Sequence, residues 1–249
     1  MDLTQFFQAY PKVALGLSGG VDSSYLLCAA RQSGAQVLAY FIKSAFQPRF
    51  ELEDARRVAG ETGAALTVLE CDILAVPAVA ENSPRRCYHC KTALFGMLRS
   101  RAMADGCSVL IDGTNASDDA GDRPGMQALA EMEVLSPLRL CGIAKEEVRR
   151  LSREAGLFTW NKPSYACLAT RVPTGTPLTA EALQRVERAE DALFALGFSD
   201  FRVRLAGETA RIQLPDTQLP RAVELRGEIQ KRFSQDFTDI VLDLKARGM

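Results

Sequence analysis

Residues 13 to 24 read VALGLSGGVDSS, an apolar run that breaks at two glycines and passes straight into a helical pattern. A run with no polar face predicts a strand buried on both sides. The glycines let the backbone turn tightly and come close to a ligand. From Val21 to Arg31 the apolar positions Leu26, Leu27 and Ala30 face inward on a helix that Gly34 closes. A strand that turns through glycine into a helix presents the N–H groups and dipole of the helix opening to an anion. The hydroxyls of Ser18 and Ser23 belong to the same turn. The string has neither the Gly-Lys-Ser/Thr ending of the Walker loop nor the spacing G-x-G-x-x-G, so a dinucleotide fold is disfavoured.

The alternation of strand and helix continues. VLAYFI (37–42), ALTVLE (65–70), SVLIDG (108–113) and EVLSPL (133–138) read as strands, and 52–63, 88–104 and 144–156 as helices. Strands alternating with helices predict an α/β fold with a doubly wound parallel sheet. In such a sheet ligands collect at the strand C-termini, so the loops at 18–23, 43–49, 113–125 and 136–142 are expected to converge on one face. The pattern changes at the turn-rich PTGTP (173–177). Thr179 then reads as an N-cap, with Leu178 and Leu183 as a hydrophobic staple, and a helix runs to Leu196 before Gly197. FRVRLAG and ETARIQL form a hairpin around Gly207 and Glu208, followed by a helix from Leu219 to Phe233 and a strand at 239–244. Residues 1–172 are therefore expected to form the α/β domain, and 178–249 a small α+β domain for substrate binding or oligomerisation.

At 249 residues and 47% hydrophobic content the chain is expected to bury an ordinary globular core. A net charge of -1 argues against a general nucleic-acid binder and leaves room for a local anion site. No run approaches the roughly 18 apolar residues of a membrane helix, and MDLTQFFQAYPK does not read as a secretory signal. Seven cysteines without an export signal read as reduced thiols in a reducing, cytoplasmic setting.

At the turn itself, Ser18, Gly19, Gly20 and Ser23 are candidates for an anion at the helix opening. DGTNASDDAGDRPGM (112–126) leaves another strand end, and Gly113, Thr114, Asn115, Asp118 and Asp119 are candidates for nucleotide and metal contacts, Arg123 for an anion. Cys87 and Cys90 form a C-x-x-C pair ahead of a helix. That spacing suits one metal or cluster, a redox dithiol, zinc with His89, or plain buried thiols. SYACLATR (164–171) places Cys167 four residues before Arg171 on a turn-like segment, and Arg202 and Arg204 share a strand face at i, i+2. Arginine forks suit phosphate oxygens. Glu190 is an acid in the small domain that could meet a substrate.

SGGVDSS resembles the pyrophosphate loop of the PP-loop, HUP-like N-type ATP pyrophosphatases, which cut ATP between the α- and β-phosphates and pass AMP to a carboxylate or carbonyl oxygen. Together, SGGVDSS, RCYHCK (86–91), DGTNASDDAGDRPG, LSPL (135–138), KPSYACLATR (162–171) and the RVR…ARI strands resemble the LarE family of ATP-dependent sulfur transferases, which make the nickel-pincer cofactor. The likeness spans essentially the whole chain. It implies ATP and Mg²⁺, with Ser18, Gly19, Gly20, Val21, Asp22, Ser23 and Lys43 at the nucleotide and Asp22 ordering the loop or the metal, and a pyridinium mononucleotide whose carboxylate is adenylated and thiolated. It implies Arg171, Arg202 and Arg204 at the substrate phosphate and a homo-oligomeric assembly.

For the sulfur source the resemblance leaves two routes. Cys167 is sacrificed to dehydroalanine, or Cys87, Cys90 and Cys167 hold a [4Fe–4S] cluster that carries the sulfur. Rival functions are a tRNA thiolase with the same loop and three cysteines, an amide-forming ligase that needs no thiol, and a nucleotide-binding regulator that never cleaves ATP.

Overall fold

The computed structural model describes residues 1–118 and 124–247. The chain divides into two compact units, one of residues 1–79 and 85–162, the other of 80–84 and 163–249. The division falls at Lys162/Pro163, ahead of the PTGTP turn, and a short earlier segment joins the second unit. Asn82 explains that segment: its side-chain amide donates to the Pro173 and Thr176 carbonyls at 2.8 and 2.9 Å.

The first unit begins with helix α1 (Leu3–Ala9), closed by a capping box in which Asp2 and Gln5 satisfy each other's backbone N–H. There follow β1 (Lys12–Gly16), α2 (Val21–Gln32), β2 (Gln36–Lys43), α3 (Arg49–Thr62), β3 (Leu66–Glu70), α4 (Pro77–Ala80), α5 (Arg86–Ala104), β4 (Leu110–Ile111), α6 (Pro124–Glu131), α7 (Pro137–Leu140) and α8 (Lys145–Glu154). The strands are parallel in the order β3-β2-β1-β4. Alternate residues of β1 enter different layers, as period-two geometry requires. Val13 and Leu15 pack with Leu26, Leu27, Val58 and Val148. Ala14 packs with Leu98, Ala102, Leu110 and Leu129. Both faces are covered, so β1 has no polar position between Val13 and Leu15.

Two expected strands are shorter than the sequence suggests. The strand at 108–113 is reduced to Leu110–Ile111; just beyond it Asp112 accepts from the Thr114 N–H and hydroxyl instead of continuing a ladder. The strand at 133–138 becomes a single bridge between Leu135 and Ile111. Pro137 stops it: proline has no N–H for a ladder and suits the first turn of a helix, which α7 supplies.

The second unit carries α9 (Ala180–Ala195), β5 (Arg202–Ala206), β6 (Thr209–Gln213), α10 (Leu219–Glu224), α11 (Arg226–Phe233) and β7 (Asp239–Leu242). The expected hairpin is present, and β7 pairs parallel with β6 to give the order β5-β6-β7. The helix expected over 219–233 breaks at Leu225, which caps α10 and opens α11. On α9 the buried stripe is Leu183, Val186, Ala189, Glu190 and Leu193. Leu178 and Leu183 are both buried at the start of this helix.

Thr179 accepts a hydrogen bond from the Ala182 N–H at 3.1 Å, the expected N-cap. Replacing Thr179 with alanine is expected to cost about 1 kcal/mol. Thermal unfolding of the full chain should show a midpoint lowered by roughly 2–4 °C; an unchanged midpoint would remove the cap from the stability of α9.

Candidate active site

The strand order places a switch point at β1 and β4: successive strands run from β1 to β3 on one side, and β4 returns to the other. Crevices at such points, outside the strand C-termini, receive ligands in open α/β sheets. Here the crevice is built from two loops. After β1, the Ser18 and Ser23 hydroxyls lie 3.0 Å apart, the Ser18 N–H donates to Ser23 Oγ at 3.2 Å, and the Gly20 N–H donates to Ser18 Oγ at 3.3 Å. Gly20 caps α2 without any side-chain hydrogen bond, which leaves the helix opening to backbone groups.

Two close approaches fix this arrangement. Gly19 has φ +71°, and a Cβ there would lie 2.7 Å from the Glu51 carbonyl oxygen of α3. Gly113, in the loop after β4, approaches so closely that a Cβ would lie 2.8 Å from the Ser23 nitrogen. Side chains at either position would push the loops apart.

Charged and polar groups surround the helix opening. Asp22 is held by the Lys145 ammonium at 2.5 Å and by the Asn115 amide at 3.2 Å. Asn115 is buried and organises its loop through Ser117 N–H and Asp118 Oδ2, at 2.8 and 2.9 Å. Asp112 accepts from Thr114 Oγ1 at 2.5 Å and Ser136 Oγ at 2.7 Å. Lys162 donates to the Gly19 carbonyl at 3.1 Å and pairs with Asp54.

These loops open onto a cavity of about 320 Å³, polar at Ser18, Asp22 and Asp118, apolar along Leu94 and Phe95. Its size suits a small-molecule site. Asp22 and Asp118 both line it, two carboxylates of the kind that Mg²⁺ takes as ligands. Ser18, Ser23, Gly113 and Thr114 also line the cavity, whereas Lys43 donates to the Gln47 carbonyl and Gln47 forms the wall. Asp119 and Arg123 lie outside the described residues.

Three lysines of this region had no role assigned from sequence. Lys145 opens α8, Lys162 precedes Pro163, and Lys91 reaches the cavity from α5. Lys91 follows the C-x-x-C pair directly, but the contacts of Lys145 and Lys162 cross more than a hundred residues and have no local signal.

Cys87 and Cys90 occupy the first turns of α5, the former exposed and the latter half-buried, with Arg86 Nη2 3.6 Å from Cys87 Sγ. Among the described residues no group of three or more His, Cys, Asp or Glu side chains is arranged to hold a metal ion. Cys87 and Cys90 belong to the first unit and Cys167 to the second. The three-thiolate set of a [4Fe–4S] cluster is thus not assembled within either unit, nor is a zinc set around His89. Burial pushes the thiols of Cys28, Cys71 and Cys141 up.

In the second unit Cys167 caps a short 3₁₀ turn, Leu168–Arg171, and its carbonyl accepts from Thr170 N–H at 3.0 Å and Thr170 Oγ1 at 2.8 Å. Arg171 is only 1% exposed. It forks onto Glu190, Nε to Oε1 at 2.7 Å and Nη2 to Oε2 at 3.2 Å, and stacks on the Tyr165 ring. Arg202 is buried too, with Nη1 and Nη2 donating to the Phe201 and Ser164 carbonyls at 2.6 Å. Burial, reinforced by Arg171 and Arg247, pushes its guanidinium down to about 10, still protonated at neutral pH. Of the three arginines expected at a phosphate, Arg204 is the exposed one. Glu190 faces Arg171 in the core instead of an open site, which corrects its reading as an acid that meets substrate.

A family model described as asparagine synthase matches residues 6–116, the segment that carries both cavity loops up to Asn115. An uncharacterized protein of Synechocystis sp. is 38% identical over 98% of this chain and 92% of its own. An uncharacterized protein of Methanocaldococcus jannaschii is 28% identical over 94% of this chain and 90% of its own. The pyridinium-3,5-bisthiocarboxylic acid mononucleotide synthase of Lactiplantibacillus plantarum is 30% identical over 94% of this chain and 86% of its own. With the phosphate loop at the sheet's switch point and a likeness that runs through both units, the chain belongs to the LarE family of ATP-dependent sulfur transferases, within the PP-loop ATP pyrophosphatase superfamily.

Proposed function

We propose that this chain converts a carboxylate of pyridinium-3,5-biscarboxylic acid mononucleotide, or of its half-thiolated form, into a thiocarboxylate. The observation that carries the reading is the pairing, in one chain, of an ATP-type loop with the segment KPSYACLATR, in a relative of a synthase named for that product. ATP lies in the cavity with its phosphates at Ser18–Ser23 and the opening of α2. Mg²⁺, when bound at Asp22, supplies charge neutralisation for the pyrophosphate. A carboxylate oxygen of the substrate attacks the α-phosphorus, the bond to the bridging oxygen breaks, and pyrophosphate leaves. Preorganised backbone N–H groups lower the barrier by meeting the charge where it develops.

Cys167 is the sulfur donor in this reading. Its thiolate attacks the acyl carbon of the adenylate and AMP leaves, giving a thioester. Removal of the Cys167 α-proton then breaks the Cβ–S bond. The electron pair stays on sulfur, so the product is a thiocarboxylate and the protein keeps dehydroalanine. Arg204, exposed on β5, takes the substrate phosphate, while Arg171 and Arg202 keep their buried places. The cysteine usage of the sequence fits a reducing, cytoplasmic setting. No helix among the described residues is long and apolar enough to cross a membrane. The working form is proposed to be a homo-oligomer.

Substrate-dependent exchange of pyrophosphate into ATP tests the first half-reaction. Asp22→Ala should slow that exchange about 10²-fold, the scale of losing one preorganised electrostatic partner; exchange at the wild-type rate would take Asp22 out of the site. Cys167→Ala should keep the exchange and form no thiocarboxylate. Thiocarboxylate made by Cys167→Ala at the wild-type rate would contradict the donor assignment.

A further inference from the structure

We infer that Glu190 is a positioning residue for Cys167, the buried hub that fixes the thiol-bearing segment on the second unit's sheet. The inference rests on the reading of Cys167 as sulfur donor. The segment 164–171 has little regular structure of its own beyond the 3₁₀ turn, so its geometry depends on what holds it. Glu190 holds it from both sides of the cysteine. Two residues before Cys167, the Tyr165 hydroxyl donates to Glu190 Oε2. Four residues after, Arg171 forks onto both carboxylate oxygens. The same carboxylate accepts the Val203 N–H at 2.8 Å, which ties the hub to the backbone of β5.

The neighbouring arginines extend the clamp. Arg202 Nη2 donates to the Ser164 carbonyl at 2.6 Å, and Arg204 Nη1 donates to the Thr170 carbonyl at 2.8 Å. The Tyr165 ring lies 4.7 Å from the Arg171 guanidinium carbon and 5.2 Å from that of Arg202. The segment is thus gripped at residues 164, 165, 170 and 171, with Cys167 between the grips.

A buried ion pair is a weak device for stability alone. Apolar residues of similar volume often do as well or better in its place, because both charges must be stripped of water. What the Arg171–Glu190 pair adds is direction: a fork with fixed geometry that an apolar pair cannot supply. Attack on an acyl-adenylate needs that direction, since a misplacement of about 1 Å can cost about 10²-fold in rate.

The test compares Glu190→Gln, Tyr165→Phe and the double variant Arg171→Met/Glu190→Leu with the parent chain. The substrate is pyridinium-3,5-biscarboxylic acid mononucleotide with ATP and Mg²⁺. Melting midpoint, pyrophosphate exchange, and the rate of thiocarboxylate formation at saturating and limiting substrate are read for each. Glu190→Gln is expected to keep the exchange and the half-saturating substrate concentration, and to lose about 10²-fold in the saturated rate. Tyr165→Phe removes one donor while keeping the ring, and should lose several-fold in the same rate. The double variant removes both buried charges together, is expected to stay folded, and should still transfer slowly. That pattern separates positioning from stability, because apolar refilling restores a structural role and leaves a positioning role lost. A stable double variant that transfers at the parent rate would overturn the inference. Should both Glu190 variants fail to fold, Tyr165→Phe decides: a slowed transfer supports the hub, a parent rate overturns it. Cys167→Ala runs alongside, since transfer by that variant would instead sink the donor reading.

Discussion

The first unit depends on two places where backbone meets backbone with no side chain between. Gly19 turns against α3, and Gly113 lies against the nitrogen of Ser23 at the start of α2. These approaches bring the loops after β1 and β4 onto one helix opening. An anion site of this kind is made of N–H groups, and N–H groups can face a ligand only where side chains do not stand in the way. The parallel sheet supplies the rest: β1 is buried on both faces, so its direction is fixed by two packed layers. The carboxylates and lysines then arrange themselves around a frame that the glycines determine.

The second unit solves a different problem, which is to hold a short irregular segment still. It does so with charge buried in the core, the Arg171–Glu190 pair, and with arginines that donate to backbone carbonyls. KPSYACLATR crosses the division between the units: Lys162 bonds the phosphate loop, and from Pro163 onward the chain belongs to the second unit. A chemically coherent motif is therefore divided between two structural tasks. One end secures the turn at Gly19, and the other carries the thiol.

Much of the fold was legible because its signals are local. Apolar runs between helical patterns disclosed β1, β2 and β3, and Thr179 marked the start of α9 by a hydroxyl placed for capping. The strand expected at 133–138 was misread for an equally local reason, the proline at 137 that starts a helix. The phosphate loop and Cys167 stood out as strings. What could not be read were the partners. Lys145 reaches Asp22 across 123 residues, and Lys162 reaches Gly19 across 143. Arg171 and Arg202 offered themselves from sequence as phosphate binders because a guanidinium suits phosphate. Their burial against Glu190 and backbone carbonyls depends on tertiary packing that a one-dimensional pattern does not carry. The same holds for Cys87 and Cys90, whose spacing suits a metal although no three-ligand group forms among the described residues.

The central claim is that the sulfur of Cys167 leaves the protein with the product. Mass analysis of the intact chain and of its Cys167 peptide, before and after one round with ATP, Mg²⁺ and the pyridinium mononucleotide, tests it most directly. The expected spectrum shows the loss of one H₂S from Cys167, in proportion to the thiocarboxylate formed. Several thiocarboxylates per chain, with Cys167 still a cysteine, would contradict it.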